Sequence, residues 1–150
     1  MRDPSRGQED TFFRCARGRP KLRGLSDVAG ELIHYERPDE AGPEASDFER
    51  VPTAEPDRLR DVLGAACGIM GIVRKRRTVR MVGCTRVHLD EVEGLGRFIE
   101  LEVALDTGES IEGAVAETHR VMAALGIRED QLVSHAYLDL LRGAGRPPAR

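Results

Sequence analysis

The chain has 150 residues, a net charge of −3 at pH 7, 33% charged and 4% aromatic residues, and no tryptophan. This is enough chain for one domain with a real core. The few aromatic rings argue against stacking on nucleic-acid bases, and the acidic balance argues against a general polyanion binder, so no nucleic-acid partner is expected. The longest uncharged run, 62–73, is too short to span a bilayer. The polar start MRDPSRGQED does not resemble a signal peptide. Cys15, Cys67 and Cys84 show neither zinc nor disulfide spacing and read as small core or half-buried thiols. A cytoplasmic protein with no membrane partner is expected.

In chain order, residues 1–10 read as a disordered lead-in, 11–141 as the domain and 142–150 as a disordered tail. Thr11–Arg14 is a short strand candidate. Arg17–Pro20 makes a turn, and a strand begins at Lys21 with Lys21 and Arg23 on one face. Pro20 suits the start or edge of a strand. Residues 26–30 form a hairpin loop, and Glu31–Arg37 is a strand with Ile33, Tyr35 and Arg37 on one face. Residues 38–46 form an acidic loop, and 47–51 a brief strand. A helix from Asp57 to about Ala66 carries Leu59, Val62, Leu63 and Ala66 at helical spacing. Gly68 ends it.

Ile72–Val82 is extended and basic. Lys75 and Arg77 share one face with Val73 and Val79, while Arg74, Arg76 and Thr78 share the other. Periodicity does not say which face is inside. Thr85–Leu105 follows as two alternating segments around Gly94-Leu95-Gly96. One face of this pair is aliphatic, and the other carries Arg86, His88, Asp90, Glu100 and Glu102. A helix spans about Ser110–Leu125, with short helical turns at 130–133 and 137–141. Apart from the brief segment at 47–51, six strands in hairpin order followed by helices predict an antiparallel α+β layout.

Charge on alternate strand positions is usually a solvated face. Here the lanes recur on strand after strand. If the sheet curls closed, they converge in its interior. Converging Arg and Lys stabilise a polyanion through charge-assisted hydrogen bonds. Carboxylates beside that anion call for a hard divalent cation, because Mg²⁺ takes one or two carboxylates plus phosphate oxygens. There is no Walker A loop and no GxGxxG.

The segments TFFR, RGRPKLR, ELIHYERPDEAGP, VRKRR, GCTRVHLDEVEGLGRFIELEV and LGI…AYLDLL together resemble the CYTH superfamily, the group of class IV adenylate cyclases and thiamine triphosphatases. The resemblance covers about Asp10 to Leu141. It implies an antiparallel β-barrel, a triphosphate tunnel with peripheral helices. Lys21, Arg23, Arg37, Lys75, Arg77 and Arg86 match positions that grip the triphosphate. Asp90, Glu100 and Glu102 match positions associated with the metal, Mg²⁺ or alternatively Mn²⁺. His88 reads as structural. The implied partner is ATP or another triphosphate compound, converted to cyclic AMP and pyrophosphate or hydrolysed. Oligomeric state is left open, a dimer included. The chain departs from the family at its start. The ExExK strand is absent, so the first strand of the barrel is expected to be missing. Pro20 replaces a usual aliphatic residue, and Arg80 a usual tyrosine. A nucleotide- or polyphosphate-binding remnant with impaired catalysis is therefore the alternative expectation.

Overall fold

A computed structural model describes residues 5–36 and 47–143. The strands are β1 (Ser5–Phe13), β2 (Arg19–Ser26), β3 (Ala29–Glu36), β4 (Asp47–Thr53), β5 (Ile69–Val82), β6 (Thr85–Val92) and β7 (Gly96–Val103). The helices are α1 (Pro56–Cys67), α2 (Ile111–Leu125) and α3 (Tyr137–Leu141), with a 3₁₀ turn at Glu129–Gln131. The strands form one sheet in the order β4-β3-β2-β1-β5-β6-β7. Every neighbouring pair is antiparallel.

Two expectations are corrected. Residues 5–10 are not a disordered lead-in but the first part of β1, which lies in the middle of the sheet. This polar segment is ordered because β5 pairs with it along its whole length and β2 joins on the other side from Glu9 onward. Its acidic side chains also find arginine partners. The sheet has seven described strands rather than six, because the brief segment after residue 46 extends to Thr53 and pairs with β3 along its length. Pro20 is tolerated because β2 pairs with β1 only from Lys21 onward, so no ladder bond to β1 is lost there.

The local signals place the helices. Pro56 opens α1 at a position where its missing N–H costs nothing, and Gly68 follows its end with φ 80°. Ser110 caps α2 by accepting a hydrogen bond from the Gly113 N–H at 3.0 Å, and left-handed Gly126 ends it. α1 packs on the β1–β3 side, and α2 on β6 and β7. Val121 and Met122 are buried on α2, and Val87 on β6.

The sheet is curled. Lys21 and Arg23 on β2 sit close enough to Glu100 on β7 for its charge to act on both. In a flat sheet, strands four places apart would lie roughly 19 Å from each other. One end of the concave side is apolar. Phe12, Val73 and Val92 are buried there under Leu138 of α3, with Tyr35, Phe98, Tyr137 and Leu141 around them. Gly71 permits this close approach, since a Cβ at that position would lie 2.6 Å from the Leu138 Cδ1. Burial of a side chain like Leu138 contributes about 1.5–3 kcal/mol. Among the described residues, no helix is long and apolar enough to cross a membrane.

Candidate anion-binding site on the concave face

Residues paired across antiparallel strands share a face. The pairs Lys21–Phe12, Arg23–Asp10, Lys75–Gln8, Arg77–Asp90, Met81–Arg86, His88–Glu100 and Arg86–Glu102 therefore run round one face of the sheet. Lys21, Arg23, Lys75, Arg77 and Arg86 all lie on it, as do Asp90, Glu100 and Glu102. Arg37 lies outside the described residues. The structure also settles the open question on β5. Lys75 and Arg77 are buried on the concave side, while Arg74, Arg76 and Arg80 are exposed on the other. On that convex side Glu9 joins Arg74 at 2.8 Å to Arg60 of α1 at 3.0 Å.

Two buried carboxylates organise the face. Asp10, 2% exposed, accepts hydrogen bonds from Arg23 Nε at 2.8 Å and Nη2 at 2.9 Å. The Lys21 and Lys75 ammoniums lie 3.6 and 3.8 Å from it. One carboxylate thus faces three cations. Burial pushes the Asp10 carboxyl up, but the Arg23 hydrogen bonds and the charges of Lys21, Arg23 and Lys75 more than offset this and hold it well below the usual carboxylate range. Burial lowers both lysines. Lys75 falls to about 8, because burial together with the Arg77, Lys21 and Arg23 charges outweighs Asp10. An anion arriving beside Lys21 and Lys75 would meet unneutralised positive charge in a site of low local dielectric.

Asp90 is the second centre. It accepts from Arg77 Nε and Nη2, both at 2.7 Å, and from the Tyr137 hydroxyl at 2.8 Å. Burial raises the Tyr137 hydroxyl well above its ordinary pKa, and the Asp90 and Glu100 charges raise it further, so it stays a donor. Arg77 Nη2 also reaches Glu100 at 2.6 Å. Arg86 meets Glu102 at 3.3 Å. Glu100 is surrounded by charged groups yet keeps 45% of its side chain open to solvent, so it borders a water-accessible channel. Burial pushes Glu100 up, and the nearby His88 ring with the Arg77 and Lys75 charges brings it below the usual carboxylate range. Water in the channel screens part of this effect.

The fit to a divalent metal differs among the three predicted acids. Both Asp90 oxygens are taken by Arg77 and Tyr137, so Asp90 stands as the partner of Arg77 rather than as an open ligand. Glu100 and Glu102 face the channel with 45% and 30% of their side chains accessible. Among the described residues, no three Asp, Glu, His or Cys side chains are gathered for an ion. Two carboxylates still meet the smaller demand of a Mg²⁺ that brings phosphate oxygens with it. His88 is buried, with Nε2 3.4 Å from Glu102, as a structural histidine would be. Its Nδ1, like Gln8 Oε1 on the same face, is a buried polar atom with no hydrogen-bond partner. Such atoms call for a water or a ligand.

Asp10, Gln8, Tyr137 and Arg19 were not singled out from the sequence. Asp10 and Gln8 alternate with Phe12, a period-two signal hidden in the polar start. Tyr137 and the Arg19–Asp139 pair at 2.7 Å are long-range contacts with no local signal. The three thiols are exposed rather than buried or half-buried, because they lie at element ends and in a hairpin turn.

The family model described as the CYTH domain matches residues 4–137, most of the chain. The chain belongs to the CYTH family. The curled antiparallel sheet and its charged concave face are therefore a CYTH fold. Among solved structures, the PH1012 protein of Pyrococcus horikoshii superposes with a TM-score of 0.81 at 19% identity, covering 91% of this chain and 83% of that one. A conserved hypothetical protein of Pyrococcus furiosus gives 0.81 at 24% identity, covering 93% and 84%. A “putative adenylate cyclase” of Vibrio parahaemolyticus gives 0.67 at 20%, covering 92% and 81%. In sequence, this CYTH chain is 31% identical over 68 residues to the “Putative adenylate cyclase” of Methanocaldococcus jannaschii. That match spans 45% of this chain and 39% of the relative.

Proposed function

We propose that this CYTH protein binds a triphosphate compound, ATP or another, as its Mg²⁺ complex on the concave face, and converts it to cyclic AMP and pyrophosphate or hydrolyses it. The observation that carries this reading is the cluster of Lys21, Arg23 and Lys75 around the single carboxylate of Asp10, on the same face as Arg77, which shares strand β5 with Lys75. Three cations against one anion favour a ligand with several negative charges. Relatives that carry the adenylate cyclase name support the nucleotide reading.

The residues divide the work by chemistry. Lys21 and Lys75, placed too far from Asp10 for hydrogen bonds, retain donors for phosphate oxygens. Arg23 and Arg77 are aimed by their two-point contacts to Asp10 and Asp90, so their charge is in place before the ligand arrives. Arg86 adds charge at the channel margin. Glu100 and Glu102 would hold the Mg²⁺, which supplies neutralisation of phosphate charge and orientation. Cyclisation and hydrolysis differ in which phosphorus meets the nucleophile, the ribose 3′-hydroxyl at Pα or water at the terminal phosphorus.

A second reading, binding without turnover, draws on the lack of a three-ligand metal group among the described residues. One experiment separates the two. Purified protein is mixed with ATP, thiamine triphosphate or tripolyphosphate, with and without Mg²⁺, while heat of binding, cyclic AMP and released phosphate are followed. The enzymatic reading requires binding together with product. Binding with no product supports the second reading, and absence of binding to all three ligands refutes both.

A further inference from the structure

The concave face carries more than its charges. Lys21 pairs with Ile33 across β2 and β3, and across β3 and β4 Ile33 pairs with Arg50 and Tyr35 with Phe48. Cross-strand partners share a face, as do alternate residues of one strand. Tyr35, Phe48 and Arg50 therefore continue the face that holds Lys21 and Arg23. The Lys21 ammonium joins the two regions. It lies 3.6 Å from Asp10 and 5.0 Å from the centre of the Tyr35 ring. Beyond Tyr35 stands Phe48, with the Arg50 guanidinium 4.8 Å from its ring centre. Glu31 is 3.9 Å from Arg50, too far for a hydrogen bond, so the guanidinium keeps donors for a ligand. The chain has four phenylalanines and two tyrosines. Phe48 alone among these described rings is exposed, at 53%, and the others are buried or half-buried. It is a flat apolar surface left open at the edge of a face that gathers cations.

Resting on the triphosphate reading, we propose that Phe48 and Arg50 form a base subsite for a neutral heteroaromatic ring attached to the triphosphate, as in a nucleoside triphosphate. The base stacks on Phe48, and Arg50 donates to its ring nitrogens or to sugar hydroxyls. One base needs one ring, whereas a nucleic-acid track needs a series of them. The spacing suits such a ligand. Neighbouring strands lie about 4.8 Å apart, which puts β4 roughly 10 Å from β2, a gap that a ribose and its first phosphate bridge. Charge selects the kind of base. Adenine is neutral and offers acceptor nitrogens to Arg50. The thiazolium of thiamine triphosphate is a cation, and Arg50 and Lys21 repel it from the same platform. Inorganic tripolyphosphate fills the cation cluster and leaves the subsite empty.

The test uses Phe48→Trp, which gives the chain its only tryptophan. Stacking quenches indole fluorescence, so ATP with Mg²⁺ should quench this variant and tripolyphosphate should not. Phe48→Ala should weaken ATP binding in calorimetry by about tenfold or more and leave tripolyphosphate binding unchanged, while Phe48→Tyr keeps the affinity for ATP. The wild type should bind ATP more tightly than thiamine triphosphate, and Arg50→Gln should narrow that preference. Four results overturn the subsite and leave the triphosphate reading standing: equal losses for ATP and tripolyphosphate in Phe48→Ala, no loss for ATP in that variant, quenching by tripolyphosphate as deep as by ATP, or wild-type binding of thiamine triphosphate as tight as that of ATP. Absence of binding of all three ligands to the wild type overturns both.

Discussion

Asp10 and Arg23 meet as direct partners across β1 and β2, with two parallel hydrogen bonds of 2.8 and 2.9 Å to separate carboxylate oxygens. The contact is bidentate, the geometry that fixes a guanidinium most firmly. It immobilises Arg23 and leaves the Lys21 and Lys75 ammoniums beyond hydrogen-bond reach of the same carboxylate. A single acid thereby holds the site together without neutralising it.

Asp10→Asn leaves the Arg23 charge buried without its partner. Removal of one member of such a pair costs about 3–5 kcal/mol, measurable by urea denaturation at pH 7. The pH dependence follows the same contact. The folded-state pKa values of Asp10 and Glu100 are lowered, so their stabilisation is fully present above the ordinary carboxylate pKa of about 4 and is lost as pH falls through the lower folded values. The variant should lose less stability than the wild type when the titration is carried from pH 5 to pH 2, roughly the span of that linkage.

Lys75 titrates near neutrality, at about 8 in the folded protein. A polyanion favours its charged form, so tripolyphosphate should bind with proton uptake near pH 8 and weaken as pH rises through that value. Calorimetry in buffers of different ionisation heat reads the uptake directly. The depressed pKa has the opposite consequence for folding. Between about pH 8 and the ordinary lysine value near 10.4, the unfolded chain binds more protons, so this group makes stability rise with pH. Lys75→Met should abolish both effects.

Tyr137→Phe deletes the 2.8 Å donor from α3 to Asp90 and leaves the Arg77 contacts intact. A hydrogen bond to a charged group contributes about 1.5–3 kcal/mol. Loss of that order is expected in chemical denaturation, along with faster hydrogen exchange in α3. Unchanged stability would mean that α3 is held by its apolar contacts alone.

Glu100→Gln combined with Glu102→Gln tests the metal assignment. The double variant should bind ATP as well with Mg²⁺ as without it, whereas the wild type should bind more tightly with Mg²⁺. Metal-free binding should improve in the variant, because two negative charges have left the channel. An undiminished Mg²⁺ effect would move the metal to other ligands.

The alternation of β5 to β7 was open to inspection in the sequence, as were the helices bounded by Pro56 and Gly68 and by Ser110 and Gly126. These are local effects, set by side-chain period and by backbone preferences of a few residues. The charged lanes were also legible, because strand parity alone places Lys21 with Arg23 and Lys75 with Arg77. The polar start misled, since its composition is that of an unfolded chain. Only its pairing with β5, joined by β2 from Glu9 onward, supplies the backbone partners and the arginine contacts that order it.

What the sequence determined by itself is the parity of each strand, hence which charges travel together, and the bounds of the helices. Only the tertiary structure decided that Lys75 and Arg77 face inward while Arg74 and Arg76 face out, that Asp10 anchors three cations, and that Asp90 is taken by Arg77 and Tyr137. Parity is a property of one strand. Inside and outside, and the partner of a buried charge, are set by how distant strands curl toward one another and by the cost of leaving any buried charge unpaired.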